Sequence, residues 1–137
     1  DRLDNFDFDL EEVVRFEGET GPYVQYTNAR AQSILRKANQ EVAMDADLVV
    51  SDANAWDVLK MLGNFPDVIV KASQEYEPSV IAKYALRLAK AFNKYYANSK
   101  ILADDDQKNA RLSLVKSVST VLEASLDLLG VQAPKAM

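Results

Sequence analysis

The chain has 137 residues, 48% hydrophobic and 27% charged, which suits one folded domain built on a single core. It contains no cysteine and no histidine, which excludes disulfide scaffolds, thiol nucleophiles, thiolate or imidazole metal sites and Ser-His-Asp chemistry. The net charge of -5 is unevenly spread: residues 1–20 hold eight acids against Arg2 and Arg15, whereas residues 22–40 and 78–103 carry cations and no acid.

Taken in chain order, the expected elements are all helical. Residues 9–16 read as a short helix with acids in its first turn, where they suit the helix dipole. A helix from about Pro22 to Asn39 follows, with Thr20 as its N-cap and Pro22 in the first turn. Residues 40–51 are less periodic and read as a loop. Short helices are expected around Ala55–Leu62 and Pro66–Tyr76, separated by Gly63 and Asn64. Pro78 opens a helix running to about Asn98, and Asp104, Asp105 and Asp106 cap and start a last long helix ending at Gly130. The apolar runs 48–50 and 68–70 are too short to argue for strands. No apolar run reaches eighteen residues and no signal-peptide pattern occurs, so a soluble, cytoplasmic chain without a membrane partner is expected.

The two long helices show how a core is assembled. Ile81, Ala85, Leu88, Phe92 and Tyr95 recur at four, three, four and three, a seam for a second helix. Lys83, Arg87, Lys90 and Lys94 recur at the same spacing on roughly the opposite side. In the last helix, Leu112, Val115, Ser119, Leu122 and Leu126 form one apolar row, and Leu114, Val118, Val121, Ser125 and Leu128 a neighbouring one. An apolar face of that width belongs to a central helix touched from more than one side. A solvated helix usually mixes charge signs, so the one-signed stretches point to a polyanionic partner.

Several features favour structural roles. Asp4, Asp7 and Asp9 lack the glycine and distal glutamate of a calcium loop and read as solvated acids. Asp104–Asp106 read as helix caps rather than metal ligands. Gly18 and Gly21 are not followed by the Gly-Lys-Ser/Thr of a phosphate loop. Trp56 reads as a packing residue, since its helix has mixed charge.

The richest segment is residues 16–30, where a Gly/Pro turn is followed by Tyr23, Tyr26 and Arg30 at spacings of three and four. That spacing places them on one helix face. Aromatic rings beside a guanidinium suit unstacked bases and their phosphates. Periodicity alone equally allows two core-edge tyrosines beside a solvated arginine.

The same residues carry a resemblance. Phe16-Glu-Gly-Glu-Thr-Gly-Pro-Tyr-Val-Gln-Tyr26, then Ala29-Arg30 and Ser33-Ile-Leu-Arg-Lys37, resemble the segment leading into the last domain of class I arginyl-tRNA synthetases. Tyr84-Ala-Leu-Arg-Leu-Ala89 and Phe92-Asn-Lys-Tyr-Tyr96 resemble a central helix of that domain, and 110–114, 121–122 and 126–137 its terminal helix and tail. The resemblance implies an all-α helical bundle of the anticodon-binding type over 22–137, preceded by an acidic lead-in, 1–21, from the end of a catalytic domain. It implies binding to the anticodon stem and loop of arginine tRNA. It implies ATP and magnesium for the parent protein, with no cofactor, metal or catalytic residue in this stretch. Tyr23, Gln25, Tyr26, Asn28 and Arg30 match the family's tRNA-facing helix start. Tyr95 and Tyr96 fall in its aromatic region, and Met137 matches its terminal methionine. Lys83, Arg87, Lys90 and Lys94 complete the expected tRNA-binding set. Asn28 stands where the family usually has histidine, and Lys135-Ala136 where it often has an acid and arginine. The rival reading from another class is a stand-alone helical protein-interaction module. An enzyme is disfavoured by the missing His, Cys and nucleotide motifs.

Overall fold

The computed structural model describes residue 11, residues 14–44 and residues 52–132. A π-helical turn, Phe16–Thr20, leads directly into α1 (Gly21–Ala38); α2 (Ala53–Gly63), α3 (Phe65–Glu75), α4 (Pro78–Asn98) and α5 (Lys108–Gln132) follow. Among the described residues there is no strand. No helix among them is long and apolar enough to cross a membrane. Asp4, Asp7, Asp9, the 48–50 run, Lys135, Ala136 and Met137 lie outside the described residues.

The start of α1 differs from the sequence expectation. Thr20 has helical dihedrals, φ -77° and ψ -45°, and its side chain makes no capping bond. The reason is that the chain is already helical upstream: Arg15 sits at φ -63°, ψ -42°, and the Gly21 N–H bonds back to the Phe16 carbonyl. Carbonyls from the preceding turns are therefore in reach of N–H groups that a free helix start would leave unmet. Glycine is required at 21, because an added Cβ would lie 2.8 Å from the Phe16 carbonyl oxygen. The other end of α1 closes on Asn39, left-handed at φ 50°, with Arg36 and Lys37 in the last turn where cations suit the dipole.

The remaining boundaries follow local chemistry. Asp52 caps α2, its Oδ1 accepting from the N–H groups of Asn54 at 2.7 Å and Ala55 at 3.2 Å. Its Oδ2 accepts from the Ser99 hydroxyl at the far end of α4. Asn64 ends α2 and begins α3. Asp105 accepts from the Gln107 N–H at 2.9 Å just before α5, while Asp104 pairs with Lys108 at 2.7 Å and Asp105 with Arg111 at 2.9 Å. Arg111 also donates to the carbonyls of Ile101 and Ala103, which closes the α4–α5 connection.

α4 and α5 form the centre. α1 packs against both on one side and α2 against both on the other, while α3 lies on α4. The seam Ile81, Ala85, Leu88, Phe92 and Tyr95 is wholly buried, as are Leu112, Val115, Val118 and Leu122 of α5. Serines 119 and 125 are buried within the same rows. The Ser125 hydroxyl is satisfied by the Val121 carbonyl one turn back. Tyr84, also buried, donates its hydroxyl to the Met61 carbonyl at 2.6 Å and stacks on Phe65, pinning α4 to the α2–α3 junction. Trp56 departs from its expected packing role: Ala55 and Val58 take the buried face of α2, and the indole, turned off that face, is 50% exposed.

Leu122 has no exposed surface. Leu122→Ala should destabilise by about 2–5 kcal/mol, read from a shift in chemical denaturation; a shift within the surface range of about 0.5 kcal/mol would deny α5 its central place. The hydrogen bond from Ser99, with those from Ala55 and Asn54, holds the Asp52 carboxyl below its ordinary value, against the opposing effect of burial. The depressed folded value means this contribution is fully present above the unfolded pKa and is lost as pH falls through the folded one. The stability difference between the parent and Asp52→Asn should therefore be largest above about pH 4 and shrink below it, as measured by denaturation midpoints across that range.

Candidate nucleic-acid interface

The face shared by α1 and α4 gathers most of the segment that stood out in the sequence. Val24, Thr27, Ala31 and Ile34 bury one stripe of α1. Residues one step round the helix are left at the rim: Tyr23 half-buried, Tyr26 59% exposed, and Arg30 between them and α4. Across the groove, α4 presents Asn93 and Tyr96, the latter 41% exposed.

Arg30 is the centre of this arrangement. Its guanidinium carbon lies 4.3 Å from the Tyr96 ring centroid and 5.1 Å from that of Tyr26. Its Nη1 donates to Asn93 Oδ1 at 2.9 Å and its Nη2 to the Tyr26 hydroxyl at 3.0 Å. Asn93 in turn donates from Nδ2 to the Tyr23 hydroxyl and to Thr27 Oγ1, both at 2.9 Å. Thr27 is buried and donates back to the Tyr23 carbonyl. With two acceptors facing its Nδ2, the Asn93 amide has one orientation, and that orientation points its oxygen at Arg30. The guanidinium is thus held by neutral oxygens and π-faces. Among the described residues no carboxylate pairs with it. Its charge stays uncancelled and N–H donors remain over, beside two rings with exposed surface.

The other candidates fall in different places. Gln25 is exposed on the outer side of α1. Asn28 faces α5 instead: its Nδ2 donates to Glu123 at 3.3 Å and its Oδ1 accepts from the Ser119 hydroxyl at 2.6 Å, with Gln32 donating to both of those partners. Lys83, Arg87, Lys90 and Lys94 are all exposed along α4. At about 1.5 Å rise per residue they mark a basic line of roughly 16 Å along the helix. Tyr95 is 1% exposed and belongs to the core, so its ring offers no open face for stacking. Met137 lies outside the described residues.

Asn93 and Thr27 escaped the reading of the sequence. Asn93 was visible as a poor helix former inside a long helix, three residues before Tyr96 and so on the same face. Nothing in the chain marks its partner, since the pairing with α1 spans more than sixty residues.

The chain matches the family model described as the DALR anticodon binding domain over residues 24–137. Over its whole length it is 87% identical to the arginine–tRNA ligase of Latilactobacillus sakei subsp. sakei (strain 23K), covering 24% of that protein. It is 68% identical to the corresponding ligase of Pediococcus pentosaceus, again covering 24%. Among solved structures it resembles Thermus thermophilus arginyl-tRNA synthetase with a TM-score of 0.72 at 40% identity, over 89% of this chain and 22% of that one. The chain therefore spans about a quarter of the length of the curated relatives it matches. On residues, fold and comparisons together, this chain belongs to the DALR anticodon-binding domain family, in the form found in arginyl-tRNA synthetases.

Proposed function

We propose that this domain grips the anticodon stem-loop of arginine tRNA for a parent enzyme that joins L-arginine to its tRNA using ATP and magnesium. The observation that carries the reading is Arg30, fixed between Tyr26 and Tyr96 by neutral partners, with no counter-charge among the described residues. Splayed loop bases stack on the two rings, and the remaining guanidinium donors meet base edges or phosphate. Lys83, Arg87, Lys90 and Lys94 follow the backbone of the stem and supply sequence-independent attraction. Gln25 adds an exposed amide on the outer side of α1. Asn28 acts by bracing α1 against α5 rather than by touching RNA.

The chemistry of amino-acid transfer belongs to the catalytic domain of the parent, which works in the cytoplasm. Among the described residues no three carboxylates converge on one point. Asp104 and Asp105 are engaged by Lys108 and Arg111. The chain on its own should give no arginine-dependent ATP–pyrophosphate exchange above a no-protein control. The central test is a titration with arginine tRNA and with a tRNA differing only in the anticodon. Tighter binding of the first supports the reading. Equal, weak binding of both, with a protein partner captured after nuclease treatment, favours the stand-alone interaction module.

Three variants separate the parts of the interface. Tyr26→Ala should cost about 1–3 kcal/mol for arginine tRNA, narrow its advantage over the anticodon-swapped tRNA and leave the salt dependence nearly unchanged. Lys90→Ala should weaken both tRNAs alike and reduce the salt slope by roughly 0.7–0.9. Asn93→Asp places a carboxylate against Arg30, so it should weaken binding and flatten the salt slope, with some fall in melting temperature because the bonds that Asn93 donates to Tyr23 and buried Thr27 are lost. Fluorescence titrations at several salt concentrations, with a thermal melt of each variant, read all three. Unchanged affinity and discrimination in Tyr26→Ala and Asn93→Asp would remove this face from the interface.

A further inference from the structure

Arginine can only donate, and this fixes the polarity of every bond in the α1–α4 cluster. The Asn93 atom 2.9 Å from Arg30 Nη1 must be its oxygen, so the Asn93 amide nitrogen gives its protons to Tyr23 and Thr27. Thr27 sends its own proton inward to the Tyr23 carbonyl. The Tyr26 hydroxyl takes an N–H from Arg30 Nη2 at 3.0 Å, so its own proton must go elsewhere. Among the described residues it donates to nothing, and the second N–H of Nη2 has no partner either. The side-chain oxygens of Asn93, Thr27, Tyr23 and Tyr26 each receive an N–H from within the cluster. At the exposed edge the cluster therefore holds out two donors, one charged and one neutral, on atoms 3.0 Å apart.

A donor pair that close selects its partner by hydrogen-bond accounting. It is satisfied by two neighbouring acceptors. An N–H brought against it leaves two donors facing each other, unbonded and shielded from water. Guanine carries a pair of neighbouring acceptors in O6 and N7, and cytosine in O2 and N3. In adenine an amino group stands beside N1 and N7, and in uracil an N–H separates the two carbonyls, so neither base offers such a pair. A phosphate has adjacent acceptors too, but it brings no flat group to the Tyr26 and Tyr96 rings, which keep exposed faces. Phosphates have the exposed cations Arg87, Lys90 and Lys94 to meet them instead.

We propose that Arg30 Nη2 and the Tyr26 hydroxyl act together as a two-donor reader that admits a guanine or a cytosine of the RNA loop and rejects adenine and uracil at the same position. The proposal rests on the RNA-binding reading above and adds the choice of base to it. Tyr26→Phe keeps the exposed ring and deletes only the hydroxyl, so the variant should melt with the parent. Its affinity for the arginine anticodon stem-loop should fall about fivefold, the worth of one neutral hydrogen bond. The loop is then scanned one position at a time, with 7-deazaguanosine for guanosine and 3-deazacytidine for cytidine, each of which removes a single ring acceptor. At one position the analogue should weaken the parent about fivefold. There the losses from the analogue and from Tyr26→Phe should be less than additive, and at every other position additive. Adenine or uracil at that position should cost the parent about tenfold and the variant less. If the Tyr26→Phe loss is the same on every RNA, the hydroxyl serves only to hold Arg30 and the proposal falls. An unchanged affinity in Tyr26→Phe would overturn it too. If the loss disappears only where one loop phosphate is replaced by a methylphosphonate, the acceptors are phosphate oxygens and base selection is refuted. In all three cases the parent still binds the stem-loop and the RNA-binding reading stands. If the parent fails to bind the stem-loop at all, that reading falls and takes this one with it.

Discussion

The packing of α4 against α5 is the contact on which the rest of the molecule leans. Ile81, Ala85, Leu88, Phe92 and Tyr95 lock into a helix whose own apolar face is wide enough to be covered from two sides. Once α4 is held in that rotation, its remaining faces have fixed duties. Asn93 and Tyr96 turn toward α1, the 95–99 turn toward α2, and the lysine line toward solvent. A rotation of α4 by one residue would exchange these duties, so the geometry of the Arg30 cluster is a by-product of core register.

The polar contacts at the α1 boundary serve two different purposes. On the α5 side, Asn28, Gln32, Ser119 and Glu123 form a closed set in which a carboxylate and amides satisfy one another. On the α4 side, Tyr23, Thr27, Asn93 and Arg30 form an open set that leaves positive charge facing out. The closed set braces the helix. The open set keeps the Arg30 side chain ordered by neutral partners.

Helix positions were legible because proline, glycine and the apolar spacing agreed with one another: Pro78, the Gly63-Asn64 pair and the seam of α4 all mark what the structure shows. The start of α1 was misread because Thr20 and Pro22 look like a helix beginning whether or not a turn already precedes them. For the site, Tyr23, Tyr26 and Arg30 could be placed on one face from spacing within a single helix. Their completion by Asn93 and Tyr96 depends on pairing between helices far apart in sequence, which local periodicity does not encode. Tyr95 and Trp56 show the same limit from the other direction. One lies in the core and the other is half exposed, and only the assembled bundle says which.

The π-helical turn ahead of α1 has a mechanical consequence. A π-turn holds one residue more than the α-turn it replaces but spans about the same rotation, so the sequence periodicity before it is displaced by one residue, about 100° of helical phase, from the periodicity after it. Phe16–Thr20 therefore acts as a phase coupler between the helical residues upstream and the face bearing Tyr26 and Arg30. Deleting one residue there would regularise the helix and leave both the α1–α4 groove and the upstream segment close to their present places, because the turn takes up its extra residue without reorienting either side.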